Sequence, residues 1–163
     1  MATAQSSHAP LLTALSTLAA TASTSAELMA QIAKKLNSTL LRYNWVGFYT
    51  IEERPGSEPV LVLGPFAGTV GTYSEIPLHQ GICGAVATSG ETIVLNDIGD
   101  DPRYVARDLS ARSELVVAFW VNGKVAGIMD VNSHFPDAFT TADRQLCETV
   151  AFLVGKYISD RQL

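Results

Sequence analysis

The stretch ELVVAFWVNGKVAGIMDV, residues 114–131, places two strand-like segments on either side of an Asn-Gly pair. Its two halves, 114–121 and 124–131, are rich in the β-branched and aromatic residues that favour extended structure. Asn122-Gly123 is the dipeptide that best suits a tight type I′ turn, because both central residues of that turn need a positive φ. The stretch therefore predicts an antiparallel β-hairpin.

The chain on either side of this hairpin shows further strand and helix patterns. Short apolar segments bounded by polar residues indicate three more strands, and apolar residues at helical spacing after capping residues indicate three helices. The strands are predicted at 45–51, 60–64 and 92–95, and the helices are predicted to start near Pro10, Thr24 and Thr140. Helices at both chain ends and an antiparallel sheet between them predict an α+β domain.

Length and composition limit the domain count and the class of protein. The 163 residues are 47% hydrophobic, which suits one domain with a single core. We expect a flexible tail at 1–9 and one domain at 10–163. A net charge of -5 with scattered basic residues argues against nucleic acid and anionic membranes as partners. Without a signal-peptide pattern or an apolar run of roughly 20 residues, the expected location is cytoplasmic.

Metals and cofactors are not expected. The three histidines have no metal-ligand spacing to one another or to cysteine. The segment GICGAV at 81–86 matches neither a P-loop nor a dinucleotide-binding fingerprint. Two cysteines are too few for a disulfide framework.

Two carboxylates stand out on the hairpin. Asp130 lies among apolar neighbours, where an unpaired carboxylate would be costly to bury. Counted from the turn, 121 pairs with 124, so 115 faces 130 and Glu114 lies next to Asp130. Such a pair could hold a cationic group, such as a ligand ammonium.

Other interpretations of the two carboxylates remain open. Each could cap a loop amide, or pair with Arg107, Arg112 or Lys124. A pocket is favoured because Trp45 and Tyr49, four residues apart, point to the same face of a strand and could supply its aromatic walls.

The two cysteines have different expected roles. Glycines on either side of Cys83 could let the backbone turn into a short helix with the thiol near its amino end, a position that makes thiols reactive. The alternative is that Cys83 is a small buried hydrophobic residue. Cys147, within a helical apolar pattern, is expected to fill the core or a dimer interface.

Five motifs in this order resemble the GAF-domain proteins that reduce free methionine-R-sulfoxide. They are NWVGFY, LVLGPFAG, IPLHQGICGAVA, RSELVV and VAGIMDVNS, within a likeness that covers about residues 10–158. The resemblance implies a six-stranded antiparallel sheet with the terminal helices packed on one face, a small enclosed ligand pocket and, commonly, a dimer.

The resemblance also implies roles for individual residues. Trp45 and Tyr49 would form the aromatic wall, while Glu114 and Asp130 would hold the amino group of the substrate. The second aspartate of the family's D-x-D strand is Asn132 here, so one negative charge is lost.

The cysteines depart from the family pattern. Of three typical family cysteines only the middle one is present, as Cys83, and the position of the nucleophile is occupied by Arg107. A guanidinium stays protonated and cannot act as a nucleophile. Cys83 could substitute only with an external thiol, because Cys147 in the terminal helix is expected to lie too far away for a disulfide.

Three hypotheses follow. The favoured one is a ligand-binding protein for an amino acid or small anion with little reductase activity, in which Arg107, or its rival Arg112, enters the pocket beside Glu114 and Asp130. The second is a free methionine-R-sulfoxide reductase that uses Cys83 with thioredoxin or another external thiol. The third is a dimeric signalling or interaction module with a vestigial pocket.

Overall fold

The structure is a computed structural model that describes residues 8–69, 73–104 and 110–162. The helices are α1 (Ala9–Thr21), α2 (Ser25–Thr39), α3 (Gly81–Ser89) and α4 (Thr141–Arg161). The strands are β1 (Trp45–Glu52), β2 (Val60–Gly68), β3 (Glu75–Pro77), β4 (Ile93–Leu95), β5 (Ser113–Val121) and β6 (Lys124–Ser133). They form one antiparallel sheet in the order β3-β2-β1-β6-β5-β4. The predicted α+β fold with six strands is confirmed.

Local capping chemistry determines where two of the helices begin. The Thr140 side chain accepts a hydrogen bond from the Asp143 backbone N–H, and the Asp143 carboxylate accepts one from the Thr140 N–H, which completes a capping box before α4. At α2, Thr24 accepts from the Glu27 N–H. Both predicted helix starts are confirmed, because each depends on contacts between residues only three positions apart.

The hairpin between β5 and β6 has the predicted turn but not the predicted register. Asn122 and Gly123 have φ values of 52° and 78°, as a type I′ turn requires. Phe119 pairs with Gly127 but Trp120 pairs with Val125, so Ala126 is the extra residue of a β-bulge. The predicted pairing of 115 with 130 is therefore wrong, and Val116 faces Asp130.

The sheet separates two layers of helices. Alternate residues of β5 belong to different buried clusters: Leu115 and Val117 pack with α1, α2 and α4, whereas Val116 and Ala118 pack with α3. The terminal helices share one face, as predicted, and α3 alone of the four helices covers the other. We refer to the latter as the α3 face. None of the helices in the described ranges is long and apolar enough to cross a membrane.

Candidate functional site

The bulge determines which hairpin side chains share the α3 face. Residues directly opposite one another on antiparallel strands point to the same face, and a shift of one residue reverses the face. Glu114 lies opposite Asn132, and Asn132 is two residues from Asp130 along β6. All three side chains therefore point toward α3. The predicted register would have placed Glu114 and Asp130 on opposite faces. The two carboxylates do lie together, but the bulge at Ala126 is the reason.

A thiol from α3 meets the two carboxylates. Cys83 Sγ lies 3.6 Å from Asp130 Oδ2 and 3.9 Å from Glu114 Oε1, within reach of a weak S–H hydrogen bond. Asn132 Nδ2 donates to Asp130 Oδ1 at 3.2 Å, which fixes the orientation of that carboxylate. All four side chains are buried. We call this group the Cys83 cluster.

The Cys83 cluster also offers a set of possible metal ligands. One atom each from Cys83, Glu114 and Asp130 lie within 4.8 Å of one another, which is close enough to share a cation. Glu114 and Asp130 lie 31 and 47 positions after Cys83. The spacing of possible ligands in the sequence therefore does not indicate that the three side chains are close together.

Aromatic side chains of β1 and β2 form one side of this site. The Trp45 indole lies across Gly47, where an added Cβ would be only 2.2 Å from the ring, so a larger residue there would displace the indole. Phe66 stacks on Trp45 at 5.8 Å between ring centroids, and Tyr49 lies 6.4 Å away. The Tyr49 hydroxyl donates to the Tyr73 carbonyl at 3.2 Å. Trp45 and Tyr49 thus share the α3 face with the carboxylates.

Gly47 connects the aromatic residues with the charged ones. It lies between Phe66 on β2 and Asp130 on β6, directly opposite each. Trp45 itself is opposite Asn132. Neighbouring strands are only about 4.8 Å apart, so the indole lies beside the polar residues rather than in a separate cluster.

The arginines are only partly described. Arg107, predicted to point into the pocket, lies outside the described residues. Arg112 is at the surface: its side chain is 54% exposed and Nη2 is 3.8 Å from Asp97 Oδ2. Lys124 is exposed at the hairpin turn. The proposals that Arg112 enters the pocket and that Arg112 or Lys124 balances the carboxylates are therefore wrong.

A second polar group lies on the opposite face of the sheet. The Tyr43 hydroxyl donates to Asp143 Oδ1 at 2.7 Å and lies 3.8 Å from Cys147 Sγ. Burial, the largest cause, raises the pKa of Cys147 to about 12, and burial likewise raises the pKa of Tyr43. We call this group the Cys147 cluster. Cys147 is a core residue, as predicted, and the sheet separates it from Cys83.

An α+β domain that encloses carboxylates, a thiol and aromatic rings beneath a short helix has the features of a small-molecule-binding domain. The GAF domain model matches residues 24–158, and the chain belongs to this family.

Known relatives extend this assignment. Protein YtsP of Bacillus subtilis is 34% identical over 79% of this chain and 80% of its own length. The free methionine-R-sulfoxide reductase of Escherichia coli is 30% identical over 72% of this chain and 67% of its own. The solved structure of the Neisseria meningitidis free methionine-R-sulfoxide reductase with its substrate is 27% identical, with a TM-score of 0.84 over 93% of this chain and 89% of that one. The predicted homology to these reductases is confirmed.

Proposed function

We propose that this protein, with residues 10–163 as a single domain, is a cytoplasmic GAF-fold protein that binds an amino acid or similar small ligand on its α3 face. We propose that it has little reductase activity. The observation that carries the proposal is the convergence of Glu114 and Asp130, both buried, beside the wall formed by Trp45 and Tyr49.

The charges of the described residues favour a ligand with a cationic group. Two acidic side chains close together on one buried face of the sheet can accept charge-assisted hydrogen bonds from a ligand ammonium. The apolar side chain of the same ligand can contact the aromatic wall. Because Asn132 is neutral and donates to Asp130, the site has two carboxylates rather than three. Binding of a small anion instead would depend on Arg107, and neither nucleic acid nor a membrane is expected as a partner.

The test measures ligand affinity by calorimetry and thermal shift. The probes are L-methionine, its R-sulfoxide, a panel of other free amino acids, and inorganic phosphate and acetate as small anions. Glu114→Gln should weaken amino-acid binding about tenfold or more, because it removes a charge-assisted hydrogen bond. Glu91→Gln, an exposed site, is the matched control and should bind as the unaltered protein does. If no amino acid and no anion binds at millimolar concentration, the proposal is wrong.

A reductase that uses Cys83 is the second candidate. Its support is the position of Cys83 in the first turn of α3, whose N-terminal N–H groups stabilise a thiolate, together with the homology to the reductases. The two neighbouring carboxylates oppose this effect by charge repulsion. That repulsion, together with the arginine at the family's usual nucleophile position, is why we place this candidate second.

The chemistry of this candidate is balanced with an external dithiol such as thioredoxin. The Cys83 thiolate would attack the sulfoxide sulfur, taking up its oxygen as a sulfenic acid while the ligand leaves as the thioether. A thiol of the dithiol would then displace water to form a mixed disulfide, and its second thiol would release Cys83. Cys147 cannot take part, because it lies across the sheet.

Turnover assays separate the two candidates. Consumption of free methionine-R-sulfoxide with excess dithiol is measured for the unaltered chain, for Cys83→Ala and for Cys147→Ala. The favoured proposal expects little turnover in all three proteins. Robust turnover that is lost only in Cys83→Ala would establish the reductase instead.

A homodimer that acts as an interaction module is a third possibility. Trp120 and Phe152 are 48% and 70% exposed, and they line a groove of about 730 Å³ beside α4. Exposed aromatic residues of this kind are typical of contact surfaces. Light scattering after size exclusion should show a dimer, and a strict monomer at high concentration would exclude this arrangement.

A further inference from the structure

We infer that the Cys83 cluster is also a binding site for a thiophilic divalent cation such as Zn²⁺, held by the Cys83 thiolate and by one oxygen each of Glu114 and Asp130. A cation in this position uses the same two carboxylates at which the proposed ligand would place its ammonium. The metal and the ligand therefore compete. Only this competition rests on the proposed function, because the metal site itself is defined without an amino acid.

The distances between the ligand atoms fit such a cation. Zinc binds thiolate sulfur at about 2.3 Å and carboxylate oxygen at about 2.0–2.2 Å, so a sulfur and an oxygen at a tetrahedral angle lie about 3.5–3.6 Å apart. Cys83 Sγ is 3.6 Å from Asp130 Oδ2 and 3.9 Å from Glu114 Oε1, and one atom from each of the three residues lies within 4.8 Å of the others. The distances from sulfur therefore need to change by only a few tenths of an ångström.

Three packed elements hold these ligands in place. Cys83 belongs to α3, Glu114 to β5 and Asp130 to β6, and each of the three residues is at most 1% exposed. Buried charges in proteins are paired or coordinate metals. Side chains on helices and strands also keep their geometry better than side chains on loops. The cluster thus differs from the exposed groups of acidic side chains that attract cations without holding them.

The surroundings of two ligands favour the forms that bind a metal. Asn132 Nδ2 donates to Asp130 Oδ1 at 3.2 Å, and Oδ2 is the oxygen near Cys83. Carboxylates that bind metals are generally oriented by a hydrogen bond of this kind. Cys83 lies in the first turn of α3, where the helix dipole stabilises a thiolate.

The mixture of ligand atoms selects the metal. Mg²⁺ and Ca²⁺ prefer sites made of oxygen alone, whereas a thiolate favours Zn²⁺ and Co²⁺. Three protein ligands leave the fourth tetrahedral position to water or another small donor. Because the thiol must lose its proton to bind, the affinity for the metal should rise with pH.

Titration with Co²⁺ in the absence of amino acids tests the site, because a bond between cobalt and a thiolate gives a charge-transfer band in the near ultraviolet. The band should form in the unaltered chain and in Cys147→Ala, the matched control, but not in Cys83→Ala. Zn²⁺ should abolish the band by displacing Co²⁺, and Mg²⁺ should not.

The carboxylates are tested with variants that keep the shape of the side chain. Loss of a residue that only orients a ligand costs about 10–100-fold in metal affinity, so Glu114→Gln should weaken Co²⁺ binding about tenfold or more. Glu91→Gln at an exposed position is the control and should leave the affinity unchanged. Glu114→Gln carries the test if Cys83→Ala does not fold.

Calorimetry with L-methionine measures the competition in the unaltered chain. With Zn²⁺ at about ten times its own Kd, the apparent affinity for L-methionine should be about tenfold lower than in EDTA. Equal affinities in the two solutions would show that the metal and the amino acid do not share a site.

The outcomes distinguish this inference from the proposed function. The metal site is overturned if no band forms at millimolar Co²⁺, if the band persists in Cys83→Ala, or if Glu114→Gln binds Co²⁺ as the unaltered chain does. Binding of an amino acid in EDTA would then still support the proposed function. Conversely, Co²⁺ binding with the expected variant effects supports the metal site even if no amino acid or anion binds.

Discussion

The two cysteines have similar residue types beside them but lie on opposite faces of the sheet. Each is buried, and each has a carboxylate nearby: Asp130 and Glu114 for Cys83, and Asp143 for Cys147. The Cys147 cluster lies between the terminal helices and the sheet, whereas the Cys83 cluster lies beneath the single short helix α3. Similar residue types therefore belong to two very different environments.

The hydrogen bonds of the Cys147 cluster form a structural network. Asp143 Oδ2 accepts from both the backbone and the hydroxyl of Thr140, and Oδ1 accepts from Tyr43. His8 adds a contact at 3.4 Å. Each carboxylate oxygen thus already has a donor within the protein. This cluster joins the start of α4 to the rest of the domain.

The Cys83 cluster differs in the origin of its side chains and in the residues beside it. Its carboxylates come from the neighbouring strands β5 and β6 rather than from a helix cap, and aromatic rings lie beside them. A buried donor nearby, Trp45 Nε1, has no partner in the described parts of the chain. The comparison indicates that the proximity of a thiol to a carboxylate does not by itself define a functional site, and that the unpartnered Trp45 donor is a feature that the described residues of the Cys147 cluster do not share.

Asp143→Ala should have the largest effect on the free energy of unfolding. It removes the capping box of α4 and leaves the buried Tyr43 hydroxyl without its acceptor, which should cost about 2–4 kcal/mol. Urea unfolding measures the change, and Asp160→Ala at an exposed site of the same helix should cost less than about 0.5 kcal/mol. Ligand affinity should be unchanged, and a loss of affinity as large as that of Glu114→Gln would remove the contrast between the clusters.

High pH should destabilise the protein through Cys147. Its thiol titrates near 9.0 when unfolded but near 12 when folded, so between these values the unfolded chain binds fewer protons. Stability from this group is therefore fully present below about pH 9 and falls as pH rises, by about 1 kcal/mol at pH 10. Tyr43, whose pKa is also raised by burial, adds to the loss at higher pH.

Unfolding of the unaltered chain and of Cys147→Ala at pH 8 and pH 10 measures this effect. The difference in stability between the two pH values should shrink in Cys147→Ala, because this variant has no thiol at that position to titrate. Equal pH dependence in both proteins would show that the Cys147 thiol does not control the alkaline response.

Asn132→Asp should have a smaller effect on stability and a distinct effect on binding. It replaces the donor to Asp130 with a third carboxylate in the Cys83 cluster, at a cost of about 1 kcal/mol at neutral pH. The added negative charge should raise the preference for ligands with a cationic group. Asn122→Asp at the exposed turn is the control, and calorimetry with L-methionine provides the measurement; weaker binding in Asn132→Asp would contradict the ammonium assignment.

Local chemistry made much of the fold predictable from the sequence. The Asn122-Gly123 turn and the Thr140–Asp143 cap each depend on residues within three positions of one another, and both were found. Residue patterns alone do not predict the strand Glu75–Pro77, because Glu-Ile-Pro is not an apolar run of the kind that indicates the equally short strand Ile93–Leu95. The resemblance to a known family, rather than periodicity, indicated the sixth strand.

The candidate site was harder to predict, because long-range packing assembles it. Ala126 forms a bulge next to Gly127. A Cβ added at Gly127 would lie only 2.1 Å from the Tyr49 carbonyl oxygen. A glycine inside a strand is a recognised signal for a bulge, and that signal could have corrected the register. The approach of Cys83 to Asp130 has no counterpart in the sequence, since it depends on how α3 packs on the sheet.

The bulge at Ala126 also affects how this chain is compared with its relatives. If Ala126 instead paired regularly with Phe119, Val131 would stand opposite Glu114, and Asp130 would turn toward α4. A shift of the pairing by one residue between the turn and Asp130 would therefore exchange the polar lining of the site for an apolar one without changing the order of the strands. Alignments of related hairpins should therefore place their gaps by the bulge, since a gap misplaced by one position would assign binding roles to residues of the core.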